Sequence, residues 1–280
     1  KNILNLLRQS SIIGIISAGM TFVIISGNFD ISVGAVAALS GAVIMKLATS
    51  GVNLFFAMIL ALAVCGVIGS INGFVVAKIG IPSLITTMAM VSIVKGSMLM
   101  LTGGYPITET FVVLDAIGNG YLMGIPVPVV IFALTVLGAW VVLSKTRFGR
   151  YVYSVGGNAD ASKLNGINVD AYKIKVFIIN AVLAGLAGIV LVGRMGTASP
   201  AAGDGYDMDA IASVVIGGTS VAGGSGSALK TVIGVLMMSV INNSFNLLGV
   251  DMYFQYIFKG LIILIAVGFD SYSKKRLATR

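Results

Sequence analysis

The chain has 280 residues, of which 57% are hydrophobic and only 10% charged, and it carries a net charge of +8. A soluble domain is about 25% charged, so a water-soluble fold of this length could not hide so much apolar surface, and the composition describes a polytopic membrane protein. With no His and a single Cys, His metal ligands, His bases and an intrachain disulfide are excluded; the basic excess reads as membrane topology, not as nucleic-acid binding.

Taken in chain order, apolar runs of about span length fall near 10–27, 31–49, 53–77, 83–101, 125–144, 174–194, 209–222, 228–248 and 254–270. None alternates with period 2, so the spans are helices and the fold class is all-α. The seventh run is short and punctuated by Gly. Cys65 lies inside the third run and reads as a small packed hydrophobe.

Charge orients the runs. The interval 145–175 holds Lys145, Arg147, Arg150, Lys163, Lys173 and Lys175, and the tail adds Lys274, Lys275, Arg276 and Arg280. Both belong on the cytoplasmic side. The stretch 102–124 has Glu109 and Asp115, and 195–209 has Asp204, Asp207 and Asp209, with no base in either. Both belong outside. Counting backward puts Lys78 inside and Lys1 outside. Parity then predicts one further helix before Lys1, hence ten spans in the full-length chain. Lys46, Lys95, Arg194 and Lys259, near span ends, read as anchors that snorkel to head groups.

The segment beginning Phe29-Asp30-Ile31-Ser32 and the segment beginning Tyr206-Asp207-Met208-Asp209 both follow a full span. Both open on aromatic–Asp and run into a small-residue helix. With opposite directions in the membrane, they suggest two inverted-topology repeats, about 10–101 and 174–270. An ionised Asp inside the membrane needs a partner, a helix N-terminus or a water-filled route. Asn28, Asp30, Ser32, Tyr206, Asp207 and Asp209 are therefore candidates for lining a solute path. Helix capping is the alternative reading for each Asp, and the two roles are compatible.

Gly224-Ser225-Gly226-Ser227-Ala228-Leu229-Lys230-Thr231 almost fits a phosphate-binding loop. However, Leu229 stands where a Gly is needed before the Lys, and no strand precedes it. Any ATP used by this chain should be bound elsewhere. The polar interval carries a different signal. Asn158 fits an N-cap, Asp160 the first turn and Gly166 the C′ position, which predicts a helix of about two turns over Ala159–Asn165. Gly156 and Gly157 would allow a sharp reversal before it, and Gly149-Arg150 would close the preceding span. Ala161 and Leu164 form a small apolar face. So short a helix is marginal alone; it suits docking on a cytoplasmic partner or lying on the bilayer surface.

The runs GRYVYSVGGNADASKLNGINV, GYDMDAIASVVIGGTSVAGGSG and GMTFVIISGNFDISVGAVAALSG resemble the permease subunits of ribose-type ABC sugar importers, in order and spacing along the whole chain. The resemblance implies one transmembrane permease domain over 1–280, with an extracytoplasmic loop at 102–124 and a cytoplasmic coupling loop at 145–175. It implies that Gly149, Arg150, Gly156, Gly157, Asn158, Ala161, Leu164 and Gly166 serve coupling to an ABC ATPase subunit. It also implies an extracytoplasmic sugar-binding protein, a second permease copy or paralogue, and residence in the lipid of a bacterial inner membrane. No cofactor, metal or catalytic residue of its own is implied. GNFDIS departs from many relatives, which have a second Gly and a Leu. A proton- or sodium-coupled secondary transporter would use inverted repeats and membrane Asp residues in the same way, but needs no docking helix.

Overall fold

The computed structural model describes residues 2–278. Twelve helices are present among them: α1 (Asn2–Ile25), α2 (Val33–Thr49), α3 (Leu54–Phe74, extended by a π-turn Val75–Ile79), α4 (Ser83–Thr102), α5 (Val112–Asn119), α6 (Val127–Lys145), α7 (Arg147–Gly157), α8 (Ala159–Leu164), α9 (Val169–Met195), α10 (Tyr206–Ile216), α11 (Ala228–Leu247) and α12 (Met252–Ala278). Four two-residue strands complete the fold: β1 (Ile107–Thr108), β2 (Tyr121–Leu122), β3 (Ile125–Pro126) and β4 (Thr197–Ala198). The chain is an all-α polytopic membrane protein. Among the described residues, α1, α3 with its π-turn, α4, α6, α9 and α11 are long and apolar enough to cross a membrane. The helices α2 and α10 are shorter, at 17 and 11 residues.

The core is built on α1 and α9. Their apolar windows are 89% and 72% buried, against 28% or less for α3, α4 and α6. The first two are therefore the central pair, and the last three form the periphery. Hydroxyls on the central helices do not break them, because each returns to its own backbone: Ser17 Oγ donates to the Ile13 carbonyl and Thr21 Oγ1 to that of Ser17, both at 2.7 Å. Small residues let neighbours come close. Ser40 of α2 donates to the Gly185 carbonyl of α9 at 2.9 Å, the close helix approach expected where lipid gives no inward drive.

Long-range contacts bring the two acidic stretches together. β1 pairs antiparallel with β4, Ile107 opposite Ala198 and Thr108 opposite Thr197, which joins the two acidic stretches in one ribbon. On the other side Lys78 pairs with Asp170 at 2.9 Å, tying the end of α3 to the start of α9. The basic tail Lys274, Lys275, Arg276 and Arg280, used for the same argument, lies outside the residues whose side chains are described.

Three expectations are corrected. Gly149-Arg150 does not close the preceding span; that helix ends at Lys145, and Thr146 caps α7 by accepting from the Gly149 N–H at 3.1 Å. Gly156 and Gly157 form no reversal but the last turn of α7, and the chain turns at extended Asn158. Lys95 and Lys259 do not snorkel. Lys95 pairs with Asp204 at 2.7 Å and Lys259 with Asp209 at 2.8 Å.

Candidate functional site

The first broken helix is organised by Asp30. After α1 ends, Gly27 takes φ +77 and the chain turns to enter α2. Asp30 is 1% exposed. Its Oδ1 accepts from the Ser32 N–H at 2.9 Å and the Ser32 hydroxyl at 2.5 Å, and its Oδ2 from Asn180 Nδ2 at 2.9 Å. This is capping in a looser form, since the carboxylate serves the residue before the helix instead of its first turn. Asn72 of α3 donates to Ser32 Oγ at 3.1 Å. Asn28 is buried in its own turn, donating to the Ser26 carbonyl and hydroxyl. Neither Asn28 nor Ser32 lines the cavity beside the start of α2 described below.

The second broken helix is organised by Asp209. Gly205 at φ +85 precedes α10, and no side chain caps it; Asp207 and Asp209 lie in its first turn, where the helix dipole favours negative charge. Asp209 is 4% exposed. Lys259 Nζ of α12 lies 2.8 Å from Oδ1 and 3.0 Å from Oδ2, and Asn242 of α11 donates to Oδ2 at 3.1 Å.

The starts of α2 and α10 meet. A Cβ on Gly34 would overlap the Gly203 carbonyl, and one on Gly203 that of Gly34; only glycine at both positions permits the approach. Beside this contact is a cavity of about 320 Å³, lined by Ile31, Gly34, Lys95, Asp204, Asp207 and Tyr256 among others. Of the six path candidates read from the sequence, only Asp207 faces this space. Asp30, Ser32 and Asp209 instead fix the backbones around it. The sequence reading missed Lys95, Asp204 and Tyr256 in this role, as well as the three amides Asn72, Asn180 and Asn242. An Asn alone in an apolar span was the available signal, because such a side chain demands a partner. Among the described residues, no three His, Cys, Asp or Glu side chains converge as a metal site needs.

A basic surface is formed by α7 and α8. In α8, Asn158 Oδ1 accepts from the Ala161 N–H at 2.8 Å. At the other end Gly166, at φ +79, donates to the Lys163 carbonyl and Ile167 to that of Ser162. These two bonds make a Schellman cap, so six residues hold a helix that would fray alone. Ser162 is buried and bonded to Ser154 of α7 at 2.8 Å, and Leu164 points away at 90% exposure. Ala161 is exposed beside it. Arg150 is exposed on α7, while Val152 and Val155 are buried beneath it. The near-match to a phosphate loop is occupied otherwise: the Gly224 N–H donates to the Ile25 carbonyl at 2.8 Å, and the Gly226 carbonyl accepts from Tyr153 Oη at 2.9 Å.

A family model described as branched-chain amino acid transport system / permease component matches residues 2–267. The chain is 42% identical over 275 residues to the ribose import permease protein RbsC of Haemophilus influenzae, covering 97% of this chain and 85% of that one. It is 45% identical over 271 residues to the ribose import permease protein RbsC of Bacillus subtilis, covering 96% and 84%. To the xylose transport system permease protein XylH of Escherichia coli it is 33% identical over 338 residues, covering 99% and 86%. No solved structure matches.

Proposed function

The chain belongs to the branched-chain amino acid transport system / permease component family, and we propose that it forms the membrane path of an ATP-driven importer for a monosaccharide of the ribose class. The substrate class follows the relatives at 42% and 45% identity, which are named for ribose import. The chain is a multi-pass transport component of the cytoplasmic membrane. An ABC ATPase subunit binds and hydrolyses ATP, and an extracytoplasmic sugar-binding protein delivers the solute.

The path is assigned to the cavity where α2 and α10 begin, with Asp207 on its wall and Asn28, Asp30, Ser32, Tyr206 and Asp209 shaping the two helix breaks. A second copy or paralogue would close it. What supports that closure is charge: Lys95, on the apolar span α4, stays 43% exposed although it is paired with Asp204, and a charged group on a span faces water or protein. The halves α1–α4 and α9–α12, about 10–101 and 174–270, are read as inverted repeats, with 102–124 outside and 145–175 inside. Packing supports this: α3 lies on α9 as α11 lies on α1, and α2 meets α4 as α10 meets α12. Register supports it too. Matching Phe29 to Tyr206 aligns Ser32 with Asp209, and these accept from Asn72 on α3 and Asn242 on α11 respectively.

The observation that carries the importer reading is α8: a doubly capped helix on a basic surface, with Leu164 presented outward. Gly149, Arg150, Gly156, Asn158, Ala161, Leu164 and Gly166 build or support this coupling surface, and Gly157 leads into it without a close contact of its own, since a Cβ there would meet only Gly224 Cα at 3.9 Å. The test is co-purification of the full-length chain with its ABC ATPase, with residues 158–166 intact or replaced by Gly/Ser. Recovery that depends on the helix is the expected result. A stable chain that never retains an ATPase would sink the reading.

A further inference from the structure

Three backbone segments converge at the last turn of α7, backbone against backbone. Ile25 is the last residue of α1, so its carbonyl is one that the helix leaves unpaired; it accepts from the Gly224 N–H of the α10–α11 connection at 2.8 Å. Gly156 of α7 sits against the same group. A Cβ there would overlap the Ile25 carbonyl and come within 2.9 Å of the Gly224 nitrogen. One on Gly223 would lie 2.7 Å from the Gly156 carbonyl and 2.9 Å from Gly27. Beside this crossing Tyr153 donates to the Gly226 carbonyl, and burial pushes its phenol up, which keeps it a donor.

We infer that the crossing of Gly156 with Ile25 and Gly224 is the joint through which displacement of α8 reaches both broken helices, with Gly156 and Tyr153 as positioning residues for transport. The inference rests on the reading of α8 as the ATPase-facing element. A side-chain contact can absorb a small displacement by changing rotamer; a backbone-on-backbone contact has no such slack and passes the movement on. The connections suit transmission. Five residues beyond Ile25 is Asp30, which sets the start of α2, and the 217–227 segment that holds Gly223 and Gly224 joins α10 to α11. The α8 end is stiff as well, held by the Ser154–Ser162 hydroxyl pair. The far end of α7 is held by Phe148, whose ring lies 6.5 Å from Phe22 and 5.5 Å from Tyr172.

Adjacent glycines provide the test. Gly157 lies in the same helical turn, but a Cβ there meets only Gly224 Cα, at 3.9 Å, an ordinary contact. Gly156→Ala and Gly157→Ala are therefore alike in helix propensity and differ at the joint. The assembled importer, in vesicles, is assayed for retained ATPase, ATP hydrolysis and sugar uptake per ATP. Gly156→Ala is expected to retain the ATPase and hydrolyse ATP while uptake per ATP falls about tenfold or more, within the span of ordinary coupling between sites. Gly157→Ala should stay within about twofold, and Tyr153→Phe should lose about threefold, the effect of one neutral hydrogen bond. Equal uptake per ATP in the two glycine variants overturns the joint. If Gly156→Ala does not accumulate, Tyr153→Phe decides, and unchanged uptake per ATP overturns it. Failure of the wild-type chain to retain an ATPase is a separate result, which removes the docking reading and not the crossing itself.

Discussion

The two broken helices solve one problem in two ways. Asp30 is surrounded by neutral donors: the Ser32 N–H, the Ser32 hydroxyl and the Asn180 amide. Asp209 shares one neutral amide, Asn242, but rests chiefly on the Lys259 ammonium. The first arrangement is local, with two of its three bonds coming from two residues away, so it stiffens a turn. The second reaches from α10 to α11 and α12 and binds three helices by one charge. The same residue type thus sets a turn at one break and a helix packing at the other.

The difference is exposed most sharply at Lys259. Its side chain is 15% exposed and that of Asp209 6%, so Lys259→Met strands a carboxylate inside the bundle. Loss of about 3–5 kcal/mol is expected, the usual effect of removing one partner of a buried pair. Denaturant unfolding in detergent reads it, and Asp209→Asn combined with Lys259→Met should recover most of the loss. A double variant no better than the single one would mean that Lys259 acts by packing, not charge. Asp30→Asn should be milder, about 1–3 kcal/mol, because it turns one good acceptor into an amide facing the Asn180 amide. If it equalled Lys259→Met, the neutral-donor account of Asp30 would fail. The smallest effect belongs to the exposed pair. Lys95→Met should change stability by about 0–1 kcal/mol yet reduce uptake if the cavity is the path; full uptake would argue against that assignment.

Much of this was legible from the residues. Each of the nine apolar runs contains a helix, and the acidic stretches at 102–124 and 195–209 do share one side. The cap signals at Asn158 and Gly166 foretold α8 to within a residue. What failed did so for definite reasons. Gly156-Gly157 reads as a break because each Gly costs a helix about 1 kcal/mol relative to Ala; tertiary contact with Ile25, far away in sequence, requires the missing Cβ. Lys95 and Lys259 read as head-group anchors because their partners are 109 and 50 positions away. The amphipathic face of α7, with Val152 and Val155 turned inward, was hidden by its basic residues. Period and composition report on neighbours along the chain; these misreadings all concern neighbours in space.

The small ribbon of β1 and β4 has a consequence for how far the chain can open at that end of the bundle. Its two strands come from segments about ninety residues apart, one following α4 and the other following α9. Because the two strands are hydrogen-bonded to each other, the ribbon is a clasp: the chain beyond α4 and the chain beyond α9 cannot part at this point unless its bonds break first.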